Sequence, residues 1–259
     1  MRKPRAGFLR RVFRLVLLLL FTFWGFSLIL LQNLFIRDSR KWTKATSIAT
    51  HKWGKRCCWA LGIHTVHHNV PPKSLVKYFT PNHIGYCDII AIATLCPVLF
   101  VTRAELYAWP VVGVILRRIA LPAISRSDQR VLKEVNQALI NSLQNGVSVC
   151  TFLEGTSTGG DKVLKFRSPL MESAVTSEAY AVPLCVKWTS RSGIDISEEV
   201  AYWKDHEFRP HFWNFLGLVG LQVELTCGEP LPTANRERHD LTRELHHWVA
   251  DALESTSAA

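Results

Sequence analysis

Residues 82–88 read Asn-His-Ile-Gly-Tyr-Cys-Asp, which sets an imidazole, His83, five positions before a carboxylate, Asp88, with Gly85 between them. Around one turn such a pair can face each other. The acid then holds one ring nitrogen and leaves the other free to take a proton, the arrangement of a general base with its orienting partner. Alone, the same spacing fits a polar surface turn equally well. Cys87 invites a thiolate reading, but the adjacent Asp88 raises a thiol's pKa, so it reads as a small packed residue.

A second group of residues stands further along. An apolar run ends in Leu153-Glu-Gly-Thr-Ser-Thr-Gly-Gly160, followed by Lys162, Lys165 and Arg167. Glycines let backbone N–H groups approach an anion, and flanking cations add charge-assisted hydrogen bonds. Between the two groups lies Arg126, whose planar fork suits a phosphate. The same loop holds a rival: Gly155 to Gly159 spell G-x-S-x-G around Ser157, with Asp205 and His239 following in the order of an α/β-hydrolase triad. That elbow needs a helix directly after the serine, and Thr-Gly-Gly-Asp-Lys-Val is a poor helix start. His64, His67 and His68 raise a metal reading, but no acidic or cysteine cluster lies beside them in sequence.

These residues have to be carried by regular elements, and the chain supplies an alternation of them. Strands are expected at Leu75–Thr80, Pro97–Thr102, Leu121–Ser125, Val147–Phe152, Ala181–Val186 and Leu221–Cys227, most of them short, apolar and β-branched as strands buried on both faces are. Helices are expected over Asp88–Leu95, over Asp128–Asn145 with Asp128 as N-cap and Gly146 as stop, and from Asp240 onward. The pattern predicts an α/β fold with a partly parallel central sheet flanked by helices. In such folds sites gather where strands end, which is where His83 and Glu154 fall.

Formal net charge is +10, yet residues 1–56 carry thirteen Lys and Arg against the single Asp38, so the remaining chain is slightly acidic. The excess brackets an uncharged run, Leu15–Ile36, which as a helix reaches roughly 33 Å, enough to enter or cross a hydrocarbon core of about 30 Å. This predicts a membrane anchor, with lipid rather than nucleic acid as the partner of the charge. A cleaved signal peptide is disfavoured because no small-residue cleavage site follows. Both flanks are basic, so a single span and a re-entrant hairpin stay open. Residues 42–61 suit a helix, either amphipathic on the bilayer surface or packed in the ordinary way. After them, His64–Asn69 looks like a strand. The Trp213–Gln222 run reads either as core or as a second membrane-touching surface. Seven scattered cysteines fit reduced thiols and hence a cytosol-facing domain.

Four blocks together, "NHIGYCD", "RAELYAWPVVGVILRRIALPAISR", "FLEGTS" and "AVPLCV", stand in the order and approximate spacing of the motifs of the 1-acylglycerol-3-phosphate (lysophosphatidic acid) acyltransferase family. The resemblance covers roughly residues 75–186 and extends through "AYWKDHEFRPHFW" toward the subset that includes lyso-ornithine-lipid acyltransferases. Joined to the apolar and amphipathic stretches and the cysteine pattern above, it sets residues 1–68 as a membrane-anchoring helical segment and 69–259 as the acyltransferase domain, expected on the cytoplasmic face of the inner membrane. It implies His83 as general base, Asp88 as its partner, and Asn82, Arg126, Glu154, Gly155, Thr156 and Lys165 as substrate-binding residues. The reaction implied moves a fatty acyl group from acyl-CoA or acyl carrier protein to a lysolipid hydroxyl, with 1-acylglycerol 3-phosphate as the first acceptor, giving phosphatidic acid, and another lysolipid such as lyso-ornithine lipid as the alternative; it asks for no metal or organic cofactor. Two departures matter: Leu153 and Ser157 stand where the family's Phe-Pro-Glu-Gly-Thr-Arg-Ser has proline and arginine. Without that guanidinium a phosphate-bearing acceptor is less secure, and Lys162, Lys165 or Arg167 is left to substitute.

Overall fold

The computed structural model describes residues 7–103, 123–124 and 129–257; Arg126, Asp128 and most of the second block quoted above lie outside the described residues. A six-stranded mixed sheet organises the chain, in the order β1(His64–His68), β8(Leu221–Cys227), β7(Tyr180–Ser190), β2(Lys77–Pro81), β6(Ser148–Cys150), β3(Val98–Phe100). β7, β2, β6 and β3 run parallel, while β8 is antiparallel to β7 and parallel to β1. A short parallel pair, β4(Thr102–Arg103) and β5(Ala123–Ile124), stands apart. β2 is buried at every position, as a strand covered on both faces must be.

Alternation along the strands divides the core into two layers. Phe79, Cys150 and Val182 face one side, toward α2(Ser39–Leu61), α3(Tyr86–Ile92) and α7(Phe208–Phe215). Tyr78, Val149 and Ala181 face the other, toward α4(Gln129–Gln144), α5(Met171–Thr176) and α8(Arg238–Ser257). A four-residue helix, α6(Ile196–Glu199), precedes α7. Phe215, Leu216 and Leu218 are buried, so the Trp213–Gln222 run is largely core rather than a second lipid-touching surface.

The expected apolar helix is longer than its uncharged run. α1 spans Phe8–Phe35 and leaves Phe13, Leu20, Phe23 and Trp24 more than half exposed, an apolar surface that water does not favour. Its window Phe8–Gln32 has a mean hydropathy of 2.3. The N-terminal end is docked on the body: Arg14, 7% exposed, donates through Nη1 to the carbonyls of Leu216 at 2.9 Å and Leu218 at 2.6 Å. Arg11 lies over the Trp213 ring. The basic residues here therefore do not all face lipid, because a helix C-terminus in the body offers two carbonyls that a guanidinium can satisfy. α2 packs its Cys57, Cys58 and Leu61 into the core and turns Lys41, Lys44, Lys52 and Lys55 outward. β1 pairs along its whole length with β8, which makes it an edge strand of the central sheet.

Candidate active site

The site is set by register. Phe79 of β2 pairs with Cys150 of β6, and His83 and Glu154 each follow four residues later, so the two strand ends deliver both residues to one place. The Glu154 carboxylate accepts the His83 N–H at 2.7 Å through Oε1 and the Leu164 N–H at 2.7 Å through Oε2. Thr158 N–H donates to the His83 carbonyl at 2.9 Å. The Glu-Gly-Thr loop thus clasps the backbone of His83 from both sides. Gly155 makes the loop's turn at φ +72, a left-handed conformation that a side chain would strain.

The His83 ring meets Asp88 as its spacing predicts. Nδ1 lies 2.8 Å from Asp88 Oδ2, and the ring stacks on Phe152 at 3.8 Å between centroids. Asp88 is wholly buried at the third position of α3, where it reaches back over the first turn. Its Oδ2 also accepts the Ile84 and Gly85 N–H groups at 2.7 and 3.0 Å, and its Oδ1 accepts the Trp188 indole N–H at 2.9 Å. With every neighbour donating, Nδ1 must carry its proton and donate too. Nε2 is then the acceptor, on a side chain still 14% exposed. Gly85 is required by a close approach, since a Cβ there would stand 2.9 Å from the Tyr202 backbone nitrogen.

The Acyltransferase family profile matches residues 65–187, the stretch that holds this dyad and both strand ends. The matched stretch, 123 of the 259 residues, carries an acyltransferase domain. It is 28% identical to the lyso-ornithine lipid O-acyltransferase of Pseudomonas aeruginosa over 211 residues, covering 81% of this chain and 80% of that one. It is 28% identical to the 1-acyl-sn-glycerol-3-phosphate acyltransferase of Neisseria gonorrhoeae over 112 residues, 43% of this chain and 44% of the relative. The crystal structure of the 1-acyl-sn-glycerophosphate acyltransferase from Thermotoga maritima shares the fold, with a TM-score of 0.65 at 22% identity over 96% of this chain and 98% of that one.

In this acyltransferase two residues expected in a substrate pocket are turned inward. Asn82 is 1% exposed; its amide donates to the Val186 carbonyl at 3.0 Å and accepts the Val186 N–H at 2.7 Å, extending the β2–β7 ladder by a side chain. Glu154 is likewise buried, held between two backbone donors. Gly155 and Thr156 are half-buried and Lys165 is exposed at the rim of the same loop, with the Arg167 guanidinium lying against Gly155. The sequence assigned no role to Trp188, nor to Phe152 and Tyr202 within the blocks quoted above; the Tyr202 N–H donates to the Ile84 carbonyl at 2.7 Å. Phe152, two residues before the Glu-Gly-Thr triplet, was the one with a local signal.

The hydrolase reading fails on the serine itself. Ser157 Oγ donates to the Tyr202 carbonyl at 2.5 Å, no helix follows it, and His239 bonds Ser168 instead. Ser157→Ala is expected to leave acyl-transfer turnover within about threefold of the parent, as a lost neutral hydrogen bond near the surface warrants; loss of all turnover in a steady-state assay would restore a nucleophilic serine. Cys87 is buried and its thiol is held far above the ordinary range, by desolvation first and by Asp88 second, so burial matters more than the neighbouring charge. His67 bonds Thr94 and His68 faces Glu224. Among the described residues no group of three or more His, Cys, Asp or Glu gathers.

Burial also pushes the Glu154 carboxyl up, to about 8, against the two N–H donors that favour its charged form. Unfolding returns it to the ordinary value near 4.5, so between those values the folded chain binds more protons and stability falls as pH rises, by at most about 1.4 kcal/mol per unit. From pH 6 to 7.5 the parent should lose about 2 kcal/mol that Glu154→Gln does not lose. Parallel melting curves against pH would refute this if the difference between parent and variant stayed constant.

Proposed function

We propose that the enzyme transfers a fatty acyl group from a thioester, of coenzyme A or acyl carrier protein, to the free hydroxyl of lyso-ornithine lipid at a membrane surface. The observation that carries acyl transfer is the buried Asp88 carboxylate on His83 Nδ1, which leaves Nε2 facing out as a proton acceptor. Nε2 takes the hydroxyl proton as the lipid oxygen attacks the thioester carbonyl. The tetrahedral adduct collapses, the C–S bond breaks, and the departing thiolate takes the proton from the imidazolium. Ester and free thiol result, and no acyl-enzyme is formed. Base assistance of this kind contributes about 10² to 10⁴ in rate.

Two observations favour that acceptor. The lyso-ornithine lipid O-acyltransferase of Pseudomonas aeruginosa aligns over 81% of the chain, against 43% for the 1-acyl-sn-glycerol-3-phosphate acyltransferase of Neisseria gonorrhoeae. Ser157 also replaces the family's arginine and points to a backbone carbonyl, which removes a guanidinium a phosphate dianion would want more than an amino-acid headgroup does. A second reading, 1-acylglycerol 3-phosphate as acceptor, draws on Arg167, whose guanidinium flanks Gly155 in the same loop. The exposed apolar face of α1 and the outward lysines of α2 would hold the enzyme at anionic lipid, and seven free cysteines, six of them buried, suit its cytoplasmic side.

The test is detergent-purified enzyme with acyl-CoA and, separately, acyl carrier protein thioester, against lyso-ornithine lipid and lysophosphatidic acid. Product from lyso-ornithine lipid is expected, with Ser157→Arg shifting the ratio toward lysophosphatidic acid. A parent that acylates lysophosphatidic acid alone reverses the acceptor assignment, and one that acylates neither overturns the reading.

A further inference from the structure

Asp88 has two oxygens in unequal settings. Oδ2 gathers His83 Nδ1–H and two backbone N–H groups of its own turn. Oδ1 gets nothing from that turn beyond a Cys87 thiol at 3.9 Å, which also faces the Val200 carbonyl at 3.7 Å. Its one N–H donor among the described residues comes from the central sheet: the Trp188 indole of β7, one hundred residues away, at 2.9 Å. A thiol is a weak donor, so the indole is what occupies this oxygen.

We propose that Trp188 is a positioning residue of the dyad, its indole N–H fixing the plane of the Asp88 carboxylate and through it the aim of the His83 ring. Three donors on one oxygen permit the carboxylate to pivot about that oxygen; a fourth on the other oxygen, from a rigid sheet, stops the pivot. The strand is well placed to be rigid. Trp188 sits on β7 opposite Val223 of β8, is 5% exposed, and follows by two residues the Val186 backbone that Asn82 clamps to β2. The same clamp that holds the chain between the end of β2 and His83 therefore sets the height of the indole. Trp188 is among the residues that line a cavity of about 280 Å³ with Ile84, Gly160 and Lys187, and its indole N–H is turned to the carboxylate. A tryptophan in a core strand needs some acceptor for its N–H. Here the acceptor is the free oxygen of the residue that orients the base.

For its kinetic readout the inference rests on the acyl-transfer reading, so a second readout is chosen that does not. Trp188→Phe removes the donor and some volume; incorporation of benzothienylalanine at 188 removes the N–H and keeps the shape. Both are expected to lower kcat about tenfold with KM for donor and acceptor within about twofold, since one charge-assisted hydrogen bond aims the base and touches no substrate. In ¹⁵N-histidine-labelled protein the low-field His83 Nδ1–H resonance should move further downfield with the isostere, because Asp88 becomes a less shared acceptor. If that resonance stays in place or moves upfield, or if kcat per folded enzyme is unchanged, Trp188 is only core. If the resonance moves downfield and the parent acylates no lysolipid, the positioning role stands and the substrate reading falls.

Discussion

His83→Ala is expected to lower kcat for lysolipid acylation by about three orders of magnitude, within the range that a positioned base contributes. The fold should survive. The ring is stacked on Phe152 at the mouth of the site, while the backbone of residue 83 is held independently by Glu154 and Thr158. The Asp88 carboxylate keeps its two backbone donors and the indole. The melting temperature should therefore change by only a few degrees, as for the loss of about 1 kcal/mol in a chain of this size. Initial rates with acyl-CoA and lyso-ornithine lipid, normalised to folded protein, decide it. A variant with more than a tenth of parental turnover would show that proton removal is not the work of this imidazole.

Asp88→Asn is expected to reduce both turnover and stability, although it changes one atom. The parent oxygens face only donors: His83 Nδ1–H, two backbone N–H groups and the indole. A carboxamide must turn its NH₂ toward one set or the other. Turned to the turn, it drives N–H against N–H and asks His83 Nδ1 to become an acceptor, which moves the imidazole proton to Nε2 and disables the base. Turned to Trp188, it strands the indole N–H in a dry interior. Either way a buried donor loses its partner, at about 1–3 kcal/mol, and the wrong tautomer lowers kcat by about 10² to 10⁴. Urea titration and initial rates are the measurements. Unchanged stability with rates within tenfold of the parent would mean that this carboxylate does not orient His83.

The dyad was legible because it is local. Five residues around one helix start bring an imidazole and a carboxylate together whatever surrounds them, and the strand before Asn82 and the helix after Gly85 both announce themselves in residue type. The apolar helix near the start was equally legible, since a long uncharged run of leucine and phenylalanine declares itself in residue type. Glu154 and Asn82 were legible as residues of the site but not as what they do. Each became a backbone clamp only when β2 was registered against β6 and β7, and no spacing along the chain encodes that pairing.

What the amino-acid order determined by itself is therefore short-range: the imidazole and its carboxylate partner, the alternation of strands and helices, and the apolar helix at the start. The tertiary structure alone decided that β1 joins the sheet beside β8, that Arg14 caps a helix end two hundred residues away, and that Trp188 reaches Asp88. Hydrophobic pattern states that a residue is to be buried, not beside what. The partner of a buried polar group is chosen by which strands pair and in which register, and that choice is made by the packing of the whole core.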